Sequence, residues 1–114
     1  MATVEAPRNY VGATVWEADL LEAQEGNTNG EWVCCAGVLP ISIDINGISG
    51  DSVVLHGSNA KDKPAASSAG HALNSTFTQD TLAGMTIPIK WIKASVTNWI
   101  AGSINVRAFG CYQK

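Results

Sequence analysis

The clearest regularity along the chain is an alternation of period two. Ile41-Ser42-Ile43-Asp44-Ile45-Asn46 sets three isoleucines on one side and three polar residues on the other, as a strand with one buried face requires. Ser103 to Phe109 repeats the pattern and turns Ile104, Val106 and Ala108 towards a core. Ser52 to Gly57 predicts another short strand. Thr86 to Val96 is β-rich, with Pro88 suited to an edge or a strand start. Glu31 to Leu39 reads as a largely buried strand ended by Pro40. Ala13 to Leu21 fits a strand or a short helix, Val15 and Trp16 favouring the strand. His71 to Thr78 is a further strand candidate, and Gln79 to Gly84 a turn or one helical turn.

Segments rich in Gly, Asn and Ser separate these runs, at 23–31, 46–51 and 98–102. The stretch 57–71, GSNAKDKPAASSAGH, has small residues and no apolar face, and predicts a flexible or partner-touching loop. Residues 1–12 have no period and contain Pro7 and Gly12, which suggests an extended arm. Short strands with turns at this spacing predict an all-β protein: a single antiparallel β-sandwich over 13–114, preceded by the N-terminal arm. No internal period exists, which excludes solenoids and propellers.

Composition narrows the function. A length of 114 residues fits one domain. With 46% hydrophobic and 15% charged residues, against about 25% charged in ordinary domains, the chain is built to pack. A net charge of −3 argues against a protein that wraps nucleic acid. No run of eighteen apolar residues predicts a membrane helix, and MATVEAPRNY lacks the apolar centre of a secretory signal. The small net charge conceals a division: one cation and eight acids in residues 1–51, six cations and two acids in 52–114. Either the body carries an acidic and a basic surface suited to contacts between copies, or strands from both halves interleave and the charges mix.

Candidate chemistry is sparse. Cys34, Cys35 and Cys111 form no metal-binding spacing. One of the first two could meet Cys111 across a sheet or cross-link copies, but two buried small hydrophobes and a thiol near the terminus account for them better. Asp44, Asn46 and Asp51 offer part of a calcium loop, yet calcium takes six to eight oxygens and the bidentate Glu is missing. A strand leaving through an Asn-Gly turn explains the same residues. His56 and His71 flank the long loop with no nucleophile motif near them. No catalytic residue, metal or cofactor is assigned. Four tryptophans, Trp16, Trp32, Trp91 and Trp99, are many for this length. One or two would fill the space between sheets. Trp99 and Ile100 fall in a turn, where they form a candidate subunit contact unless the turn folds back over the sandwich end.

Two segments carry a resemblance. SVVLHGSNAKDKP (52–64) and PIKWIKASVTNWIAGSINVRAFG (88–110) are similar to a pattern in small virion proteins of tailed bacteriophages. In that family a strand ends in Gly-Ser-Asn before a polar loop, here Gly57, Ser58 and Asn59. Pro-x-x-aromatic-apolar-basic, a valine strand and a Gly-containing turn then lead to a final alternating strand, here Pro88, Trp91, Ile92, Lys93, Val96 and Gly102. Many members continue Gly-Ser-Asn with Asp-Gly and a Trp, whereas this chain has Ala60-Lys61-Asp62-Lys63. The resemblance implies a β-sandwich of jelly-roll or galactose-binding-like shape and a non-enzymatic role as a capsid decoration or cement protein. Its place would be the capsid surface of a particle assembled in the host cytoplasm. Its partners would be the major capsid protein, other virion proteins and further copies of itself. The candidate interface is then Pro7, Arg8 and Tyr10 of the arm with Trp99 and Ile100, and the candidate loop contact is Gly57, Ser58, Asn59, Lys61 and Lys63. The alternative is a carbohydrate- or receptor-binding module of a phage tail or cell-surface protein.

Overall fold

The structure, a computed structural model, describes residues 14–73 and 76–112. The proposed arm, with Pro7, Arg8 and Tyr10, lies outside the described residues. Eight strands follow in chain order: β1 (Val15–Gln24), β2 (Val33–Cys34), β3 (Val38–Asn46), β4 (Ser52–Ser58), β5 (His71–Ala72), β6 (Thr81–Met85), β7 (Trp91–Asn98) and β8 (Ile104–Tyr112). They form two four-stranded sheets, ordered β1-β8-β3-β6 and β2-β7-β4-β5, with every neighbouring pair antiparallel. The pairs β1·β8, β2·β7, β3·β6 and β4·β5 are nested, as if one long hairpin had been rolled up. That order is a jelly roll.

Alternation decides which residues enter the space between the sheets. Ile41, Ile43 and Ile45 of β3 lie beside Ile104, Val106 and Ala108 of β8. Val53 and Leu55 of β4 with Ile92, Ala94 and Val96 of β7 cover the other side. Each large aliphatic side chain buried this way contributes about 1.5–3 kcal/mol. Trp16 joins this cluster; Trp32 is buried elsewhere, on the outer face of the second sheet.

Several boundaries differ from the sequence reading. The run 31–39 is two pieces: β2 stops at Cys34, a turn follows, and β3 passes through Pro40 without ending. Pro40 is tolerated because the β3–β8 register shifts between Val38 and Ile41, so no ladder N–H is missed there. Residues 81–85, inside and just past the expected turn 79–84, form the edge strand β6. Pairing with Ile41–Ile45 overrides the weak strand preference of Ala83 and Gly84. The strand expected over 71–78 shrinks to His71–Ala72 and a single bridge from Phe77 to Val53. Of 86–96, only the part from Trp91 onward is strand. The halves of the chain interleave: Arg107 on β8 pairs with Glu17 and Asp19 on β1. The charges mix, and the picture of one acidic and one basic surface is set aside.

Candidate functional site

The second sheet has its outer face strapped. Residues 59–70 cross it and are tied down along their length. The backbone N–H of Lys90 donates to Asn59 Oδ1 at 2.9 Å, and its Nζ donates to the Lys61 carbonyl at 2.6 Å. Trp91 Nε1 donates to the Ala60 carbonyl and Trp32 Nε1 to the Ala65 carbonyl. Lys93 Nζ donates to the carbonyls of Ala66 and Ser68 at 2.9 and 2.7 Å and lies 5.0 Å from the centroid of the Trp32 ring. The stretch expected to be a flexible or partner-touching loop is thus, over 59–70, a strap anchored to the sheet. Small polar residues allow its carbonyls to face the sheet, where the donors are indoles and lysines.

Beneath the strap, His56 Nε2 and Ser95 Oγ are 2.7 Å apart, and His56 pairs across the ladder with Lys93. Desolvation and the nearby Lys93 ammonium lower the His56 pKa, against a backbone contact at Ala69 that raises it. Burial lowers the Lys93 pKa as well. Ser95 is buried, and the histidine meets a backbone group at Ala69 where a relay would place a carboxylate. The trio binds strap to sheet.

The other loop candidates divide. Gly57 is buried within β4. Ser58 and Asn59 line a shallow depression of about 160 Å³ with His71, Leu73, Ile87, Pro88 and Ile89, while Lys61 and Lys63 are exposed. At the opposite end of the sandwich, Trp99 is half-buried against the core and its Nε1 donates to the Gly102 carbonyl. Of the two candidate contact residues, Ile100 is the exposed one, at 56%.

Asp51 closes the same end. Its carboxylate is buried and accepts backbone N–H groups from Ser49, Ile100 and Ala101. It is therefore occupied as a clip between two turns, and no group of three potential metal ligands exists among the described residues. Burial alone would raise its pKa, but the N–H groups of Ile100, Ser49 and Ala101 outweigh it and hold the carboxyl below 3.8. A depressed carboxyl contributes stability above the unfolded value that is lost as pH falls through the folded one. Urea midpoints between pH 7 and 2 are expected to show an acid decline in the wild type. Asp51→Asn is expected to begin less stable at pH 7 and to lack that part of the decline. Equal acid declines would remove the assigned role.

Among the described residues, none crosses the outer face of the first sheet. Across it run Glu17, Phe109, Ser42 and Gly84 in one row, and Asp19, Arg107, Asp44 and Leu82 in the next. Because Gly84 has no side chain, an apolar groove of about 500 Å³ opens between Pro40, Ile41, Phe109, Gly110 and Cys111, with Ser42 as its one polar side chain. Leu82, 72% exposed, stands beside it.

The chain matches no family model, no curated protein and no solved structure.

The groove was missed in the sequence because its walls come from three strands. One signal was present: outward positions of β8 run Asn105, Arg107, Phe109, Cys111, turning from polar to apolar halfway along. The cysteines also sort differently from expectation. Cys34 is exposed, Cys111 half-buried and only Cys35 buried, all as free thiols. Cys35 Sγ contacts the Ile89 carbonyl at 3.3 Å, and burial, with Cys34 beside it, pushes its pKa up to about 11.

Proposed function

We propose that this chain is a non-enzymatic structural protein of a virus particle: a decoration or cement protein at the capsid surface. It would stabilise the head through contacts with the major capsid protein, other virion proteins and further copies of itself. The observation that carries the reading is the apolar groove on the outer face of the first sheet, with Leu82 exposed beside it. Exposed contiguous apolar surface on a small soluble body marks a place where another molecule sits. The resemblance of 52–64 and 88–110 to phage virion proteins supports the same conclusion. The mechanism is shape and apolar anchoring, with many weak contacts multiplied over a lattice of copies.

The carbohydrate- or receptor-binding alternative has less support. Trp16 and Trp32 are buried, and Trp91 and Trp99 are half-buried with their indole N–H groups on backbone carbonyls. A sugar needs an open indole face and free polar partners.

Added to phage heads lacking it, the protein is expected to co-sediment at a fixed high ratio to the shell protein. Phe109→Asp, a change on the outer face, is expected to weaken this at least tenfold while leaving the circular dichroism spectrum unchanged. A monomer that stays in the supernatant overturns the proposal, and tryptophan quenching by a sugar would favour the alternative.

A further inference from the structure

We propose that the groove on the first sheet seats the N-terminal segment, residues 1–13, of a second copy of this chain, so that neighbouring copies are linked by exchanged segments. This rests on the reading of the chain as a particle protein that contacts its own kind, and names the occupant of the groove.

The groove itself is shaped for an added segment. Its walls are Pro40, Ile41 and Phe109, and Ser42 is the single polar side chain facing it. A methyl group placed on Gly84 meets nothing within 4 Å, so the glycine leaves vacant space and is not relieving a close contact. Strand β6, which carries Gly84, is a sheet edge paired with β3 alone. The groove therefore opens sideways onto what is, among the described residues, an edge strand, where an extended segment can lie down.

The segment suits that lining. Residues 1–13, MATVEAPRNYVGA, include Met1, Val4, Pro7, Tyr10 and Val11, with Glu5 and Arg8 as the only charges. Burying it desolvates little charge, and Pro7 favours the extended backbone that lies along a sheet.

The length of the segment allows it to reach a neighbour. Val15 is level with Cys111, and the Tyr112 N–H donates to the Thr14 carbonyl. Strand β1 thus begins where β8 ends, level with Cys111 at the groove. Thirteen extended residues span roughly 45 Å, against about 15 Å across four strands. That is ample to cross to an adjacent copy.

Cys111 lines the groove and supplies the test. In isolated protein without heads, Pro7→Cys is placed in a Cys34→Ser background and oxidised. Disulfide-linked dimers and higher species are expected on a non-reducing gel, absent when Cys111→Ser is added. A mixture with a size-tagged copy is expected to give mixed dimers. In a second measurement, deleting residues 1–13 is expected to speed alkylation of Cys111 by iodoacetamide at least tenfold, with a synthetic peptide of residues 1–13 restoring the slow rate. A link within one chain, no link beyond that of the Cys111→Ser control, or equal alkylation rates would overturn the inference. Protein that exchanges segments but leaves heads unbound would overturn the particle reading alone. Protein that binds heads without any such link would overturn this inference alone.

Discussion

Lys93→Ala is expected to destabilise the domain by about 3 kcal/mol and to open the strap to trypsin at Lys61. Lys93 points outward from β7 yet is only 2% exposed, because residues 59–70 lie over it. Its stem packs beneath the strap, and its ammonium serves two carbonyls and the Trp32 face. Truncation leaves a hole beneath Trp32, of the kind that costs roughly 2–5 kcal/mol for a long apolar side chain. It also removes two charge-assisted hydrogen bonds, partly replaced by water because Ala66 and Ser68 are at the surface. For a chain of this size the melting temperature falls by about 10–15 °C. Lys93→Met separates the contributions. It refills the space and removes a desolvated charge, so thermal melting returns close to wild type. It donates no hydrogen bond, so cleavage after Lys61 persists. Thermal melts and timed trypsin digests check both. An alanine variant with an intact strap would show that Trp32 and Trp91 hold the loop unaided.

Gly47→Ala is the second large effect. Gly47 has φ +89°, and a Cβ there would lie 1.9 Å from the Ser103 carbonyl oxygen. Left-handed backbone costs an L-residue about 1–2 kcal/mol, and displacing a packed backbone costs about 1–3 more. The expected loss is roughly 3–4 kcal/mol, a large share of the ~5–15 kcal/mol that holds a domain together. Gly50, with φ +82°, is the control. A Cβ there would meet Ile100 Cδ1 at 3.5 Å, an ordinary contact, so Gly50→Ala carries the conformational cost alone, about 1–2 kcal/mol. Urea denaturation compares them. Equal losses would mean that the approach to Ser103 is unimportant.

The turn at Gly47 also parts residues that lie close together in the sequence. From spacing, Asp44, Asn46 and Asp51 look like a shared oxygen set. The turn separates them: Asp44 stays on the outer face of β3 beside Arg107, while Asp51 turns inward to backbone N–H groups. Loop composition misled in the same manner for 59–70. Ala, Ser and Gly predict freedom when read alone, but the groups that restrain them, Lys90, Trp91, Lys93 and Trp32, lie about thirty residues away in the chain.

The residues by themselves determined the fold class and the core. Period-two alternation in 41–46 and 103–109 is a local property, and burying one face is enough to name Ile41, Ile43, Ile45, Ile104, Val106 and Ala108. Strand order, the strap and the groove were decided only in three dimensions. Strand order depends on long-range pairing such as Val15 with Cys111, which no local pattern encodes. The strap depends on carbonyls, which every residue carries and no sequence distinguishes. The groove depends on a missing side chain at Gly84 falling beside Phe109 and Pro40, three positions brought together by the roll of the sheet.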